Sequence, residues 1–376
     1  MSVKPIRVGV IGSGLISGIY LKNMSTRFDI LEVKGVASAH PENARRKADE
    51  FGLPAYTVDE LLARDDIDLV VNLTPTPAHE GLIRRALEAG KHVYTEKTMT
   101  TGHQSALALA ALAREKGLWL GSAPDTFLGA ALQTARRAID EGLIGEVTSF
   151  AFAANRDNSY LTSFYRFLNL PFGGVAYDYS VYYFTALCSL LGPVARVAAM
   201  VRAPFPKHVD INPAYPTYGQ LIDTPNESEI SAVLELESGV CGTAHVNNDS
   251  VLEDQHFFAI YGTRGILYLP DPNGFGGEVR LLSGSARGGE PQELRALECP
   301  FGYGDNSRGV GPAELAWSIR AGRPARAGAD MACHVLEVID AVIESGDTHN
   351  FVDIRTTFTR PAPLCANAAG EEESIR

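Results

Sequence analysis

A strand, a glycine turn and a helix open the chain, and this combination constrains the fold more than any other feature of its 376 residues. The apolar segment Ile6–Ile11 runs directly into the glycine-containing residues 12–18, and an apolar-periodic segment follows. The first glycine of such a turn permits the tight bend, and the second lets backbone N–H groups approach a pyrophosphate. Ser17 holds the third glycine position and is small enough for close packing. We therefore expect a dinucleotide-binding turn that contains Gly12, Gly14, Leu15 and Ile16.

Strand-like and helical segments alternate from residue 6 to about residue 123. Further strands are predicted at Leu31–Ala37, 69–73, His92–Thr95 and 118–121. Gly90 and Gly117 each close an amphipathic run, as C-terminal helix caps do. This alternation is typical of a doubly wound parallel sheet and predicts an α/β Rossmann domain over residues 1–124.

A different pattern begins after a helix predicted at about residues 127–141. Apolar and polar residues then alternate with a period of two, and hairpin turns are predicted at Ser238-Gly239 and at residues 262–265. Residues 203–226 contain five prolines and are predicted to be a loop. A helix is predicted at residues 329–344. We expect residues 125–376 to form an α+β domain with a large open, mostly antiparallel sheet.

Composition and charge limit the classes of partner. Hydrophobic residues make up 45% and charged residues 21%, as in an ordinary globular protein, and the net charge of −12 opposes binding to nucleic acid or to an anionic membrane. A small-molecule partner is favoured. The five cysteines are widely spaced without a Cys-x-x-Cys pair, so we expect neither a disulfide framework nor a metal site. With no signal peptide and no apolar run of transmembrane length expected, a cytoplasmic location is favoured.

Lys97 is the strongest catalytic candidate. It follows the predicted strand His92–Thr95, and ligands of doubly wound folds bind outside the carboxyl ends of the strands. Desolvation and the neighbouring Glu96 could tune its ammonium group for proton transfer. A lysine taken by itself is more often a solvated surface residue, and only this position favours a function.

The loop 72–79 follows another predicted strand and should line the same edge of the sheet. We expect Thr74, Pro75, Thr76 and His79 to contact a cofactor there. The prolines can equally serve to start the next helix, since proline is common near helix N-termini. Both interpretations can hold together.

These motifs together resemble the Gfo/Idh/MocA family of oxidoreductases over nearly the whole chain. The resemblance implies a nicotinamide cofactor, a sugar or polyol substrate and an open sheet in the second domain. The family's Glu-Lys-Pro motif falls on Glu96-Lys97-Thr98, with threonine in place of proline. Because a cis peptide bond before a non-proline residue is costly, the sequence does not establish a cis bond before Thr98. A homo-oligomer, dimeric or tetrameric through the second-domain sheet, is also implied by the resemblance.

The family's second signature, Asp-x-Gly-x-His, falls on Asp178-Tyr179-Ser180-Val181-Tyr182. Some branches that resemble glucose–fructose oxidoreductase carry tyrosine in the histidine position, so the change is compatible with activity, and it could also mark a member without catalysis. Asp178 and Tyr182 share one face if this segment is helical. Tyr182 is therefore a candidate to transfer the proton, and Asp178 to orient it. Most of the surrounding aromatic residues are expected to pack in the core.

The end of the second strand bears on the choice between NAD and NADP. An acidic residue there would bind the ribose hydroxyls and favour NAD, but the chain has Ser38-Ala39-His40-Pro41. Without that acid, Ser38, His40 and Arg45 could contact a 2′-phosphate. This favours NADP slightly.

Substrate recognition is expected from the second domain, where polar groups lie beside aromatic residues. Arg156 and Tyr165 are the candidates there, together with Asp178, Tyr182 and Lys97. The sequence favours an NAD(P)-dependent oxidoreductase that transfers a hydride between the nicotinamide and a secondary alcohol or carbonyl of a sugar or polyol. Two alternatives stay open: a sugar sensor that binds cofactor without turnover, and an NAD-dependent glycoside-cleaving enzyme.

Overall fold

The predicted N-terminal strands and helices form around the glycine turn. The computed structural model describes residues 4–251, 255–284, 289, 291–366 and 375. The first elements are β1 (Ile6–Ile11), α1 (Leu15–Thr26), β2 (Leu31–Ala37), α2 (Pro41–Phe51), β3 (Ala55–Tyr56), α3 (Val58–Leu62), β4 (Leu69–Asn72), α4 (His79–Glu88), β5 (His92–Thr95), α5 (His103–Glu115) and β6 (Leu120–Ser122). Within the described residues these strands make a parallel sheet in the order β3-β2-β1-β4-β5-β6, so the predicted Rossmann fold is confirmed.

The register of this sheet brings four strand ends to one edge. Ile11 lies opposite Ala37 on β2 and opposite Asn72 on β4, and Asn72 lies opposite Thr95 on β5. The strand order reverses at β1, which is the place where doubly wound sheets bind their ligands. The loops after β1, β2, β4 and β5 therefore share the edge at which a cofactor site is expected.

The second sheet is large and mostly antiparallel, as predicted. The elements that follow β6 are α6 (Ala130–Asp140), β7 (Val147–Asn155), α7 (Asn158–Phe164), α8 (Val175–Asp178), α9 (Ser180–Leu191), β8 (Val194–Arg202), β9 (Lys207–Val209), β10 (Leu221–Asp223), β11 (Glu229–Leu236), β12 (Cys241–Asn247), β13 (Gln255–Gly262), β14 (Gly265–Leu269), β15 (Arg280–Ser283), β16 (Glu293–Ala296), α10 (Val310–Ala321), α11 (Ala329–Thr348) and β17 (Val352–Asp353). In the described part of the chain the sheet has the order β16-β15-β14-β13-β7-β12-β11-β8-β17, with β7 and β12 parallel.

One face of this sheet is buried and the other is open. Along β11, buried residues alternate with more exposed ones, as expected for a sheet covered on one side. On the open face, Met200, Val233 and Phe257 are exposed apolar side chains. On the buried face the rings of Phe152, Tyr183 and Phe258 pack together, with the Phe152 and Tyr183 centroids 5.0 Å apart.

The loop prediction for residues 203–226 is wrong in part, because β9 and β10 form a short antiparallel pair within it. Contacts distant in sequence hold this hairpin. The buried carboxylate of Asp210 accepts hydrogen bonds from Thr217 Oγ1, at 2.5 Å, and from the guanidinium of Arg166. Local composition does not reveal such partners.

The chain divides into two compact units. One comprises Met1–Ala130, Pro300–Cys333 and Pro361–Arg376, and the other comprises Ala131–Cys299 and His334–Arg360. The domain boundary predicted between residues 124 and 125 stays a prediction. No helix of the described residues is long and apolar enough to cross a membrane.

Candidate active site

The turn after β1 requires glycine at position 12. Gly12 has φ +115°, in the left-handed region, and a Cβ there would lie 2.6 Å from the carbonyl carbon of Leu73. Gly14 lies at the start of α1, and a Cβ on it would meet no described atom within 4 Å. Leu15, which follows, is 93% exposed. The N-terminus of α1 thus has free space in front of its backbone N–H groups, which fits a pyrophosphate.

Ser17 replaces the third glycine of the turn without strain. It is fully buried, and its hydroxyl donates a hydrogen bond to the carbonyl of Gly14 at 2.6 Å. The prediction that a small residue suffices there is confirmed. Ile16, beside it, is partly exposed.

The end of β2 carries polar and charged side chains. Ser38 follows β2 directly, and its Oγ accepts a hydrogen bond from the backbone N–H of His40 at 3.4 Å. His40 is the N-cap of α2 and is exposed, as is Arg45. Glu42, which was not predicted to bear on the cofactor, is an exposed acid in the first turn of α2. Its Oε1 lies 3.9 Å from His40 Nδ1. Its charge opposes a 2′-phosphate at this turn.

The loop after β4 is held by buried hydrogen bonds. Asn72 Oδ1 accepts hydrogen bonds from the N–H and the hydroxyl of Thr74. The ring of His79 is fully buried, with Nε2 2.7 Å from the Thr74 carbonyl and Nδ1 2.8 Å from the Thr98 carbonyl. Burial lowers the pKa of His79, and its two carbonyl partners oppose this shift. His79 therefore joins the loops after β4 and β5, while Pro75 is exposed and Thr76 partly so.

The loop after β5 contains Glu96 and Lys97, both partly buried. The Glu96 carboxylate accepts a hydrogen bond from the Tyr20 hydroxyl at 2.7 Å and one from the backbone N–H of Lys97 at 3.1 Å. The contact between Glu96 and Lys97 is thus to the lysine backbone, and the expected effect of Glu96 on the ammonium group stays a prediction. Tyr20 had no signal in the sequence beyond its place in the first helix.

The peptide bond between Lys97 and Thr98 is cis, although threonine takes the place of the proline of the family's motif. Thr98 is buried, and its hydroxyl donates a hydrogen bond to the carbonyl of Thr100 at 2.8 Å. Its own carbonyl is the partner of His79 Nδ1. This segment also contacts residues distant in sequence, and the absence of proline at position 98 gives no information on those contacts.

Asp125, which follows β6, is a buried acid that the sequence interpretation missed. It is 2% exposed, and its Oδ2 accepts a hydrogen bond from the backbone N–H of Gly311, in the first turn of α10, at 3.0 Å. Burial raises the pKa of Asp125 to about 6, and the nearby negative charge of Glu96 contributes to the shift.

The second signature lies at a break between two helices of the other unit. Asp178 ends α8, α9 begins at Ser180, and Tyr179 between them has φ −117°. Asp178 and Tyr182 thus lie on two successive helices rather than on one continuous helix, and the shared face expected for them stays a prediction. Two contacts anchor Tyr179: its hydroxyl donates to Asp271 Oδ2 at 2.9 Å, and the guanidinium of Arg156 lies 4.0 Å from its ring centroid.

Arg156 and Asp178 are brought together. Arg156 Nη1 lies 3.7 Å from Asp178 Oδ2, and both side chains are 16% exposed. Tyr182 is 8% exposed, and its ring centroid lies 6.4 Å from that of Tyr179. Tyr165, the remaining substrate candidate, is exposed just after α7, with its ring against Phe167.

Close contacts explain the two glycines before α8. The Glu227 carboxylate accepts a hydrogen bond from the backbone N–H of Ala176 at 3.2 Å, and a Cβ on Gly174 would lie 2.1 Å from that carboxylate. A Cβ on Gly173 would lie 2.5 Å from the Leu168 carbonyl oxygen. Burial raises the pKa of Glu227. Gly174 thus admits an acid that holds the start of the helix ending at Asp178.

Known proteins of similar sequence and fold are oxidoreductases. A dTDP-3,4-didehydro-2,6-dideoxy-alpha-D-glucose 3-reductase of Actinomadura kijaniata is 39% identical over 154 residues, which are 40% of this chain and 46% of that protein. An inositol 2-dehydrogenase of Rhizobium meliloti is 29% identical over 195 residues, 51% of this chain and 58% of the relative. The chain thus spans about half the length of the curated relatives it matches.

The same fold occurs in a structure of levoglucosan dehydrogenase in complex with NADH and L-sorbose. The two structures have a TM-score of 0.82 at 20% identity, over 94% of this chain and all of the other.

Family assignment follows from both halves of the chain. Residues 6–123 match the Gfo/Idh/MocA oxidoreductase family with an NAD-binding Rossmann fold, and residues 132–268 match the C-terminal domain of the same family. These segments carry the glycine turn, Glu96-Lys97 and the Asp178 region. The chain therefore belongs to the Gfo/Idh/MocA family of NAD-binding oxidoreductases.

Proposed function

We propose that this protein is an NAD(P)-dependent dehydrogenase or reductase that acts on a secondary alcohol, or on the matching carbonyl, of a sugar or polyol. The observation that carries the proposal is the position of Lys97. Lys97 directly follows Glu96 in the loop after β5, and the Glu96 carboxylate accepts a hydrogen bond from its backbone N–H. This loop lies at the carboxyl edge of the parallel sheet, where the glycine turn also lies. A dehydrogenase needs its proton-transfer group at that edge, beside the nicotinamide.

The cofactor is proposed to bind along the edge formed by the ends of β1, β2, β4 and β5. The space at Gly14 and the glycine required at position 12 fit a dinucleotide. When bound, the cofactor would supply the hydride chemistry. The residues proposed to line it are Gly12, Gly14, Leu15, Ile16, Ser38, His40, Thr74, Pro75, Thr76, His79, Glu96 and Lys97.

His79 is proposed to serve the cofactor through the backbone. Both of its ring nitrogens already face carbonyls, so its contribution is to hold the Thr74 and Thr98 segments in place. Thr76 adds a weaker link between the same loops, since its hydroxyl lies 3.4 Å from the Lys97 carbonyl.

Lys97 is proposed to transfer the hydroxyl proton and to polarise the developing oxyanion. Tyr182 is the second proton-transfer candidate, and Asp178 orients the reacting groups. Arg156 is proposed to hold Asp178 in place, because its Nη1 lies 3.7 Å from the Asp178 carboxylate. Tyr165 is proposed to contact the substrate with its exposed ring.

The substrate class is supported by the names of the relatives, which act on a deoxysugar nucleotide and on inositol. A sugar or polyol shares with these the ring or chain carbon that bears a hydroxyl or carbonyl.

The open face of the second sheet, with Met200, Val233 and Phe257 exposed, supports a proposed dimer or tetramer. The wide spacing of the five cysteines, without a Cys-x-x-Cys pair, supports the proposed cytoplasmic location.

Replacement of Lys97 tests the proposal. Turnover is first measured across sugars and polyols with NAD and with NADP, and the best pair is then used for Lys97→Met. We expect kcat to fall by about 10² to 10⁴, as for loss of a general acid–base group, with little change in melting temperature or cofactor affinity. Lys116→Met, which changes an exposed lysine at the end of α5, is the control.

The two open alternatives give different results. Unchanged kcat in Lys97→Met would show that Lys97 has no role in catalysis and is an ordinary surface lysine. Saturable sugar binding by the parent protein without turnover on any substrate would favour a sensor. Release of a sugar from a glycoside without net reduction of added NAD would identify a glycoside-cleaving enzyme.

A further inference from the structure

Tyr20 reaches from the cofactor-binding helix to the segment that carries Lys97. It lies in α1, the helix that begins at the glycine turn, and its side chain is fully buried. Its hydroxyl lies 2.7 Å from Glu96 Oε1, 76 residues further along the chain. Burial raises the pKa of Tyr20 well above its usual value, so the phenol stays neutral and acts as a hydrogen-bond donor.

The Glu96 carboxylate is held at both oxygens. Oε1 accepts the Tyr20 hydroxyl, and Oε2 accepts the backbone N–H of Lys97 at 3.1 Å. The backbone N–H of Glu96 donates to the Asn72 carbonyl at 2.8 Å, which ties the residue to the end of β4. Tyr20 is therefore the side chain that decides the direction of the carboxylate, and the carboxylate in turn holds the lysine backbone.

We propose that Tyr20 is a positioning residue, whose hydroxyl fixes the Glu96 carboxylate and thereby the backbone at Lys97. The consequence for catalysis rests on the proposed function. A hydrogen bond between a neutral donor and a carboxylate is charge-assisted and stronger than a neutral one. Its loss frees the carboxylate to turn, and the Lys97 N–H then loses its partner. Lys97 would keep its ammonium group but lose its fixed position.

Tyr94 provides a matched control. It is also a fully buried tyrosine, and it lies in β5, two residues before Glu96 in the chain. Its hydroxyl has no hydrogen-bond partner among the residues that the structure describes. Tyr20→Phe and Tyr94→Phe each remove one buried hydroxyl. They differ in whether that hydroxyl holds Glu96.

Backbone hydrogen exchange tests the positioning without any catalytic assay. Peptides that span residues 94–99 are followed by mass spectrometry in the parent, Tyr20→Phe and Tyr94→Phe. We expect the Lys97 amide to exchange about tenfold faster in Tyr20→Phe, as for loss of one hydrogen bond to a charged group, and to be unchanged in Tyr94→Phe. Equal exchange in the two variants would overturn the proposal.

A double-mutant cycle in kcat tests the consequence for catalysis. We expect Tyr20→Phe to lower kcat about tenfold with KM and cofactor affinity nearly unchanged, and to have almost no further effect in a Glu96→Gln background. The same tenfold loss in both backgrounds would show that Tyr20 acts by general packing and would overturn the route through Glu96. Absence of turnover in the parent would count against the proposed function alone, and the exchange comparison would still decide the role of Tyr20.

Discussion

Tyr182 and Tyr183 are adjacent on α9 but have different surroundings. Tyr183 is fully buried, with its ring centroid 5.0 Å from that of Phe152 and 6.0 Å from that of Phe258. Tyr182 keeps 8% of its surface exposed and lies nearer the break that follows Asp178. In a helix the two side chains point about 100° apart. Tyr183 therefore belongs to the core, and Tyr182, which keeps a small exposed fraction, is the one proposed to contact a ligand.

Removal of these two hydroxyls should have unequal effects. If Tyr182 transfers or steers a proton, Tyr182→Phe should lower kcat by about 10² to 10⁴, and Tyr183→Phe should change it little. Steady-state turnover of the parent and both variants with the best substrate is the measurement, and thermal unfolding confirms that both fold. Equal rates for the parent and Tyr182→Phe would remove Tyr182 from the mechanism.

Some residues of the candidate site could be predicted from the sequence, and others could not. The need for Gly12 follows from the turn pattern, and the structure adds a second reason, the close approach of the Leu73 carbonyl. Tyr20 and Glu227 could not be found in this way. Each contacts a residue more than 50 positions away, and no local spacing predicts such a pair.

At the scale of elements, mostly apolar runs bounded by turns made the best predictions. The strands Ile6–Ile11, Leu31–Ala37 and His92–Thr95 have the predicted bounds, and each has buried residues at its carboxyl end, as expected in a covered parallel sheet. The predictions fail where other parts of the chain decide the backbone. Examples are the β9–β10 hairpin, where Arg166 contacts Asp210, and the break at Tyr179, whose side chain contacts Asp271 and Arg156.

The junction of β2 and α2 sets the proposed preference for the cofactor. Ser38 stands where an acid would bind the ribose hydroxyls, and exposed His40 and Arg45 follow it. Glu42 brings a negative charge to the same turn. Because these effects oppose each other, we expect only a mild preference for NADP.

Ser38→Asp should change that preference to NAD, because a carboxylate at this strand end accepts the ribose hydroxyls and repels a 2′-phosphate. The measurement is kcat/KM for NAD and NADP in the parent and the variant. Ser25→Asp places the same charge on an exposed position in the last turn of α1 and should leave the ratio unchanged. A parent enzyme with a clearly higher kcat/KM for NAD than for NADP would contradict the predicted preference for NADP.

At the scale of the whole molecule, the first unit takes in chain that the sequence pattern assigns to the second half. The segment Pro300–Cys333 belongs to it, and α10 lies within that segment. Helical periodicity indicates that a helix forms but not which sheet it joins. The hydrogen bond from the Gly311 N–H to the Asp125 carboxylate is one contact that ties α10 to the end of β6.

Protonation of Asp125 should make the stability of the protein depend on pH. Its pKa is about 6 in the folded protein, against about 3.9 in an unfolded chain. Between these values the folded state binds more protons than the unfolded state, so the free energy of unfolding falls as the pH rises. Burial explains the direction, because the charged carboxylate loses its water while the N-terminus of α10 compensates only in part.

Asp125→Asn should remove this contribution. Other carboxylates, such as Asp68 beside Arg7, have lowered pKa values and act in the opposite direction, so the parent must be compared with the variant. Urea unfolding of both is measured between about pH 4.5 and about pH 7.5. The stability of the parent relative to Asp125→Asn should fall by about 2 kcal/mol across this range, from the size of the pKa shift. Asp29→Asn, at an exposed position, should show a nearly constant difference from the parent. A constant difference for Asp125→Asn as well would mean that Asp125 is ionised in the folded protein throughout this range.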